Sequence, residues 1–304
     1  MCIVALEIFY AKQSNKNMKK TINCNAKINL SLDVTGRRTD GYHLVEMVMQ
    51  TLDLCDELTM ERLDGEKGVI QLETDLEGLE TDQSNLVCRA VKALMDRHDI
   101  KDGVRMHLAK RIPMAAGLAG GSADCAGALK LGNELFGLGL CDESLREIGV
   151  TLGADVPYCI MSGTALAQGI GEVLTPLAPM PDCGVLLAKP SVSIATGPVY
   201  QAIDSMPSYP HPDTKGMITA LEHGDIEGIC RSMMNVLEFV TGDNHPVIGQ
   251  LEKQMMEHGA IGSMMSGSGP TVFGIFEDIA KAKKAGEAIR ESGFEGFVSA
   301  HKPV

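Results

Sequence analysis

The residues most suited to chemistry form the run Pro113-Met114-Ala115-Ala116-Gly117-Leu118-Ala119-Gly120-Gly121-Ser122-Ala123-Asp124. It follows a strand-like stretch and leads into a helix-like one, and its small residues permit left-handed or closely approaching backbone. A helix start offers unpaired N–H groups and the positive end of a dipole, so the run suits an anion such as the phosphates of a nucleotide. The same composition also suits a tight turn with close helix packing. Neither familiar phosphate pattern applies. No lysine follows Gly121, as Walker A requires, and Gly117-Leu118-Ala119-Gly120 lacks the G-x-G-x-x-G spacing. Lys110 and Arg111 place two cations at the mouth of the run.

Other polar residues stand apart from it in sequence. Lys27 and Asn29 alternate with Ile28, Leu30 and Leu32, so they point away from that apolar set. A lysine there is either a solvated strand residue or a functional cation. Tyr42 and His43 end the polar loop Gly36-Arg37-Arg38-Thr39-Asp40-Gly41-Tyr42-His43. That loop reads as a hairpin turn through Asp40-Gly41, or as a pair of rings for stacking on a flat heterocycle. Asp155, between Gly153-Ala154 and Val156-Pro157, is either a helix cap or a placed carboxylate, and Asn85 reads first as a cap.

The elements that must position these residues follow from periodicity. Strands are expected at 21–34, 44–63, 69–73, 103–109, 164–168, 172–177, 184–188, 271–276 and 294–300. Helices are expected from Ser84-Asn85 onward and at 122–136, 142–152, 196–203, 215–223, 226–238, 246–258 and 278–291. Prolines 176, 179 and 181 mark a domain boundary near 175–183. Early strands followed by long helices point to an α+β protein.

Composition bounds the partners. A formal charge of −13 argues against a nucleic-acid backbone or an anionic membrane. The 9 cysteines show no C-x-x-C pairing or zinc spacing, and read as reduced thiols of a cytoplasmic protein. No apolar run approaches a membrane span. Residues 1–17 carry Glu7 within their apolar stretch and no basic flank, which reads as an extension ahead of the fold rather than a signal peptide.

Three signatures stand in order: Ala26-Lys27-Ile28-Asn29-Leu30, the Pro113 to Ala123 run, and Ser266-Gly267-Ser268-Gly269-Pro270. Together they resemble the GHMP small-molecule kinase superfamily. The loop ending in Tyr42-His43 and the segment Gly153-Ala154-Asp155-Val156-Pro157 are similar to one branch of it. That branch acts on 4-diphosphocytidyl-2-C-methyl-D-erythritol in the methylerythritol phosphate route to isoprenoids, and other branches act on homoserine, mevalonate or galactose. The resemblance covers the chain from Met18 onward.

The resemblance implies a two-domain α+β GHMP kinase fold. A ribosomal S5 domain 2-like N-terminal domain would span 18–178, and an α+β C-terminal domain 179–304. It implies ATP and Mg²⁺ as cofactors, and phosphorylation of the substrate's 2-hydroxyl. It makes Lys27 and Asp155 the catalytic pair. Pro113, Met114, Ala115, Ala116, Gly117, Leu118, Ala119, Gly120, Gly121, Ser122 and Ala123 become the ATP phosphate loop, with Asn85 and Lys110 near the nucleotide. Tyr42, His43 and Tyr200 would cradle the cytosine, and Asn29 would lie near the transfer centre. The Ser266 turn would pack against the site. Members of the family often carry glycine where this chain has Ala115, Ala116 and Ala119; Ser122 is the expected contact to the metal, and no side chain is assigned as a metal ligand. A monomer or homodimer is expected. Competing readings are a GHMP kinase for another small alcohol and a non-catalytic ligand-binding protein on the same fold. The presence of both Lys27 and Asp155 argues against the second, and the charge argues against a nucleic-acid module.

Overall fold

The computed structural model describes residues 19–304. The extension expected at 1–17 lies outside the described residues. Two sheets organise the chain. The first is built on a long antiparallel pair, β1 (Lys19–Arg37) and β2 (His43–Leu63). β4 (Gly103–Ala109) joins the outer part of β2, and β3 (Ile70–Thr74) runs parallel to β4. β5 (Thr164–Gln168) pairs with the first half of β2 and carries β6 (Val173–Pro176) on its far side.

The alternation seen in the sequence becomes a division of core. Cys24, Leu58 and Met60 face α1 (Leu86–Arg97) and α2 (Gly120–Leu135), whose apolar stripes cover that face of the sheet. α2 approaches β1 so closely that a Cβ on Gly127 would meet Cys24 Sγ at 2.4 Å. Two short helices, α3 (Asp142–Gly149) and α4 (Val156–Met161), complete this layer. Ala26, Ile28 and Leu30 pack in a different cluster with Ile112, Leu118, Val185 and Phe273. β1 is therefore buried without a break from Ala26 to Val34.

The second sheet has the order β11-β7-β10-β9, from β7 (Gly184–Pro190), β9 (Gly262–Met265), β10 (Val272–Phe276) and β11 (Gly296–His301). α5 (Thr196–Ile203), α6 (Thr214–His223) and α7 (Ile226–Ser232) follow β7. α8 (Glu238–Asn244) and α9 (Val247–Glu257) precede β9, and α10 (Ile279–Glu291) packs on β7 and β11.

The continuous helix expected at 226–238 is broken. Met233 is extended, and Met234–Asn235 form the short strand β8, which runs parallel to Ser31–Leu32 of β1. Tertiary contacts override the helical pattern here. The Asn235 side chain, 3% exposed, donates to the carbonyls of Met265 at 2.9 Å and Gly267 at 2.8 Å. The carbonyl of Leu32 accepts from Val236 N–H at 3.0 Å. The later part of the chain thereby completes the edge of the first sheet and anchors the turn after β9.

Asn235→Ala should cost roughly 1–3 kcal/mol of unfolding free energy by orphaning those two carbonyls. Urea denaturation checks this, and a loss under about 0.5 kcal/mol would show that β8 is held by backbone pairing alone.

Candidate active site

The residues singled out in the sequence converge on one cleft of about 1170 Å³ between the two sheets. On β1 the register slips on both sides of the critical positions. Asn25 faces Cys55 but Lys27 faces Thr51, and Asn29 faces Met49 while Ser31 faces Val48. Irregularities of this kind re-aim side chains and release backbone groups from the ladder. The released Lys27 N–H donates to the carbonyl of Leu118 at 3.1 Å, tying the first strand to the glycine-rich loop.

Lys27 is only 4% exposed, which rules out a solvated strand lysine. Its ammonium donates to Asn29 Oδ1 at 2.6 Å and lies 3.9 Å from Asp155 Oδ2. An ammonium has three N–H donors and only the one to Asn29 is taken within hydrogen-bond distance, so donors remain for a ligand in the cleft. Asn29 is itself fixed, its amide contacting Met47 Sδ at 3.3 Å. Asp155 stands at the N-cap position of α4, yet its side chain makes no capping bond. Its carboxylate, 34% exposed, is therefore available to the cleft.

The loop runs from Pro113 into α2. Ala115, Gly117 and Ala119 have left-handed backbone, with φ of 48°, 75° and 56°. Such residues build the concave N–H nests that bind anions. Two of the three are alanines, which tolerate this region less well than glycine does. Ala119 caps α2 with no side-chain bond, so the first N–H groups of the helix stay open toward the cleft. Gly117 is the closest contact: a Cβ there would meet Ser266 O at 2.2 Å, and its carbonyl accepts from Ser266 Oγ at 3.0 Å. Gly267 of the same turn also lines the cleft. Leu118 and Ala123 do not reach it; their side chains are 1% and 2% exposed and pack into the core.

Lys110 sits under the loop rather than over it. Its ammonium bonds Asp56 and lies 2.7 Å from Asp124 Oδ2, with both carboxylates buried. Asp56 also accepts from the backbone N–H of Arg111, and from that of Ile112 at 2.8 Å, so one carboxylate clamps the start of the loop. Burial works against the charge on Lys110, but the Asp124 and Asp56 carboxylates outweigh it and hold its pKa raised. Burial pushes the Asp124 carboxyl up to about 7, Lys110 opposing this and Asp56 adding to it. One Asp124 oxygen has no partner.

Asp56 was missed in the sequence, although a signal was present: it falls between Leu54 and Leu58 on the inward phase of β2. Asn85 caps α1 by accepting from Val87 N–H at 2.9 Å and also lines the cleft.

At the other end of the cleft, the His43 and Tyr200 rings lie 4.9 Å apart at 36°. Tyr42 is 59% exposed beside them. His43 Nε2 is 2.8 Å from Asp204 Oδ1, and Arg37 Nη1 is 3.1 Å from Asp204 Oδ2. Asp204, a residue with no signal in the sequence, thus joins the loop after β1 to the end of α5. Among the described residues no cluster of three or more His, Cys, Asp or Glu could hold a metal. The described cysteines are all free. No described helix is long and apolar enough to cross a membrane.

Residues 85–163 match the family model for the GHMP kinases N terminal domain, and residues 217–295 that for the GHMP kinases C terminal. A loop closed against a helix start, with a lysine–aspartate pair beside it, is thus set on a GHMP kinase fold. A homoserine kinase from Cytophaga hutchinsonii shares that fold, with a TM-score of 0.75 at 20% identity over 95% of this chain and 94% of its own. A crystal structure of 4-(cytidine 5'-diphospho)-2C-methyl-D-erythritol kinase is nearer, with a TM-score of 0.78 at 31% identity over 93% of this chain and 99% of that one. Curated 4-diphosphocytidyl-2-C-methyl-D-erythritol kinases from Alkaliphilus metalliredigens and Listeria monocytogenes are 47% and 45% identical over 86% and 90% of this chain, and over 89% and 93% of their own lengths. The chain belongs to the 4-diphosphocytidyl-2-C-methyl-D-erythritol kinase family.

The buried Asp124 carboxyl makes stability depend on pH. Its folded pKa, about 7, lies above the ordinary 3.8, so the native state keeps a proton that the unfolded chain has released. That contribution is complete below the ordinary value and is lost as pH rises through about 7. Wild type should therefore lose Tm relative to Asp124→Asn between about pH 4 and 7; parallel melting curves across that window would remove the assignment.

Proposed function

We propose that this protein transfers the γ-phosphoryl group of ATP to the 2-hydroxyl of 4-diphosphocytidyl-2-C-methyl-D-erythritol, releasing ADP. The observation that carries this reading is the pairing of buried Lys27 with the half-buried Asp155, set between the open amides of the phosphate loop and the His43–Tyr200 rings. Phosphoryl transfer of this kind depends on in-line positioning and on neutralising charge that spreads over the transferred group. The loop amides from Ala115 to Ser122 receive the nucleotide phosphates. The substrate's hydroxyl oxygen forms a bond to the γ-phosphorus as the bond to the β-bridging oxygen breaks. Its proton passes to Asp155. Lys27, held by Asn29, stands beside Asp155 and directs its remaining N–H donors at the charge between donor and acceptor. Lys110 acts from below, holding α2 and the start of the loop in place through Asp124 and Asp56. Tyr42, His43 and Tyr200 hold the cytosine.

The cleft suits Mg²⁺, which needs only one or two protein oxygens when phosphates supply the others. The Ser122 hydroxyl would hold it; Ser122 Oγ faces Gly153, two residues before Asp155. When bound, the ion supplies charge neutralisation on the phosphate oxygens. We assign residues 18–178 to the nucleotide-binding half and 179–304 to the half that closes over the substrate, with β8 crossing between them.

An ADP-release assay with this substrate tests the proposal. Asp155→Asn should lower kcat by about 100-fold or more while both substrates still bind, in line with the loss of a general base. Near-normal turnover would refute the base role. Tyr42→Ala should raise the KM of the cytidyl substrate by at least tenfold, about 1.4 kcal/mol, with the KM of ATP almost unchanged; equal effects on both would remove Tyr42 from the base-binding end.

A further inference from the structure

The carboxylate of Asp204 does not line the cleft, yet both of its oxygens are committed to residues that do. Oδ1 is 2.8 Å from His43 Nε2 and Oδ2 is 3.1 Å from Arg37 Nη1. A carboxylate can only accept, so in the neutral imidazole the proton sits on Nε2 and Nδ1 carries a lone pair. Arg37 occupies the other carboxylate oxygen, which fixes the orientation of Asp204 toward the ring. Tyr200, on the same helix as the Asp204 cap, stacks near His43 and keeps the imidazole from swinging away. Among the described residues, none hydrogen-bonds His43 Nδ1. His43, which lines the cleft, thus keeps an unpaired acceptor, with its donor side already used.

We infer that Asp204 is a specificity-determining residue. By fixing the His43 tautomer from outside the cleft, it makes the base-binding end select a pyrimidine bearing an exocyclic amine over one bearing a carbonyl at that place. An amine N–H meets the Nδ1 lone pair as a hydrogen bond. A carbonyl in the same position sets two lone pairs against each other and leaves both without a partner, the kind of mismatch by which polar sites discriminate strongly. The inference rests on the proposed function for the identity of the nucleoside, but its physical content is the state of one ring. Asp204 lies at the C-terminal end of α5, which belongs to the later part of the chain, whereas His43 and Arg37 flank the loop after β1. The tautomer is therefore set only when those two segments are docked.

Three measurements at about pH 8.5, where ordinary imidazoles are neutral, test this. The ¹⁵N chemical shifts of His43 in the ligand-free protein should report the Nε2–H tautomer in wild type and a mixture in Asp204→Ala. Binding of CMP and UMP by calorimetry should favour CMP in wild type, and that preference should fall by about tenfold in Asp204→Ala. Turnover of the cytidyl substrate and its uridyl analogue should show the same fall, carried by KM, with the KM of ATP unchanged. A wild-type His43 protonated on Nδ1 would overturn the inference, as would absence of a CMP preference in wild type or its full retention in Asp204→Ala. Failure of the cytidyl substrate to turn over in wild type would instead strike the proposed function, because the ring's tautomer and the CMP–UMP comparison decide the role of Asp204 without catalysis.

Discussion

The contact on which the site depends is that between Gly117 and Ser266. At this point the phosphate loop, the turn after β9 and, through Leu118, the first strand all meet within hydrogen-bonding distance. No side chain fits, since any Cβ on Gly117 would overlap the Ser266 carbonyl. The three signatures that are far apart in sequence are thus held together by backbone carbonyls, the Lys27 N–H and the Ser266 hydroxyl. Asn235 secures the same junction from behind by binding the carbonyls on either side of Ser266.

Around this junction the protein solves an electrostatic problem. A chain with a formal charge of −13 must hold a highly anionic nucleotide. In the proposed reading few side-chain cations are needed, because the open amides of α2 and the left-handed loop offer oriented dipoles that need no counter-charge. The buried lysines are assigned different tasks by their partners. Lys27 has an amide and a single distant carboxylate and keeps a donor for the cleft. Lys110 is matched by two buried carboxylates and becomes a structural cation that ties β2, the loop and α2 together. Removing a charge from such a cluster would leave its partner buried without compensation, which costs far more than the pair contributes to stability.

The positions where pattern reading and structure part company have identifiable physical causes. Helical periodicity runs on through 226–238, but the edge of β1 and the carbonyls of Met265 and Gly267 claim Met234 and Asn235. Asp155, readable locally as a cap or as a placed carboxylate, takes the cap position while its carboxylate faces Lys27, a residue more than a hundred positions earlier. Leu118 and Ala123 belong to the loop by sequence but turn into the core, since a tight turn cannot aim every side chain at its ligand.

Most of the site's chemistry was nevertheless legible in the linear chain. The alternation around Lys27 and Asn29, the small residues from Pro113 to Ala123 and the rings at Tyr42 and His43 follow from local sterics and periodicity, which act over a few residues. The α+β class followed from the same local rules. Which lysine keeps a donor for the cleft, which lysine is locked between carboxylates, and which partner His43 takes depended on contacts with Asn29, Asp56, Asp124 and Asp204. Those partners are brought together by strand register and by the docking of two sheets. Hydrogen bonding and charge act across space, so only the folded chain could decide them.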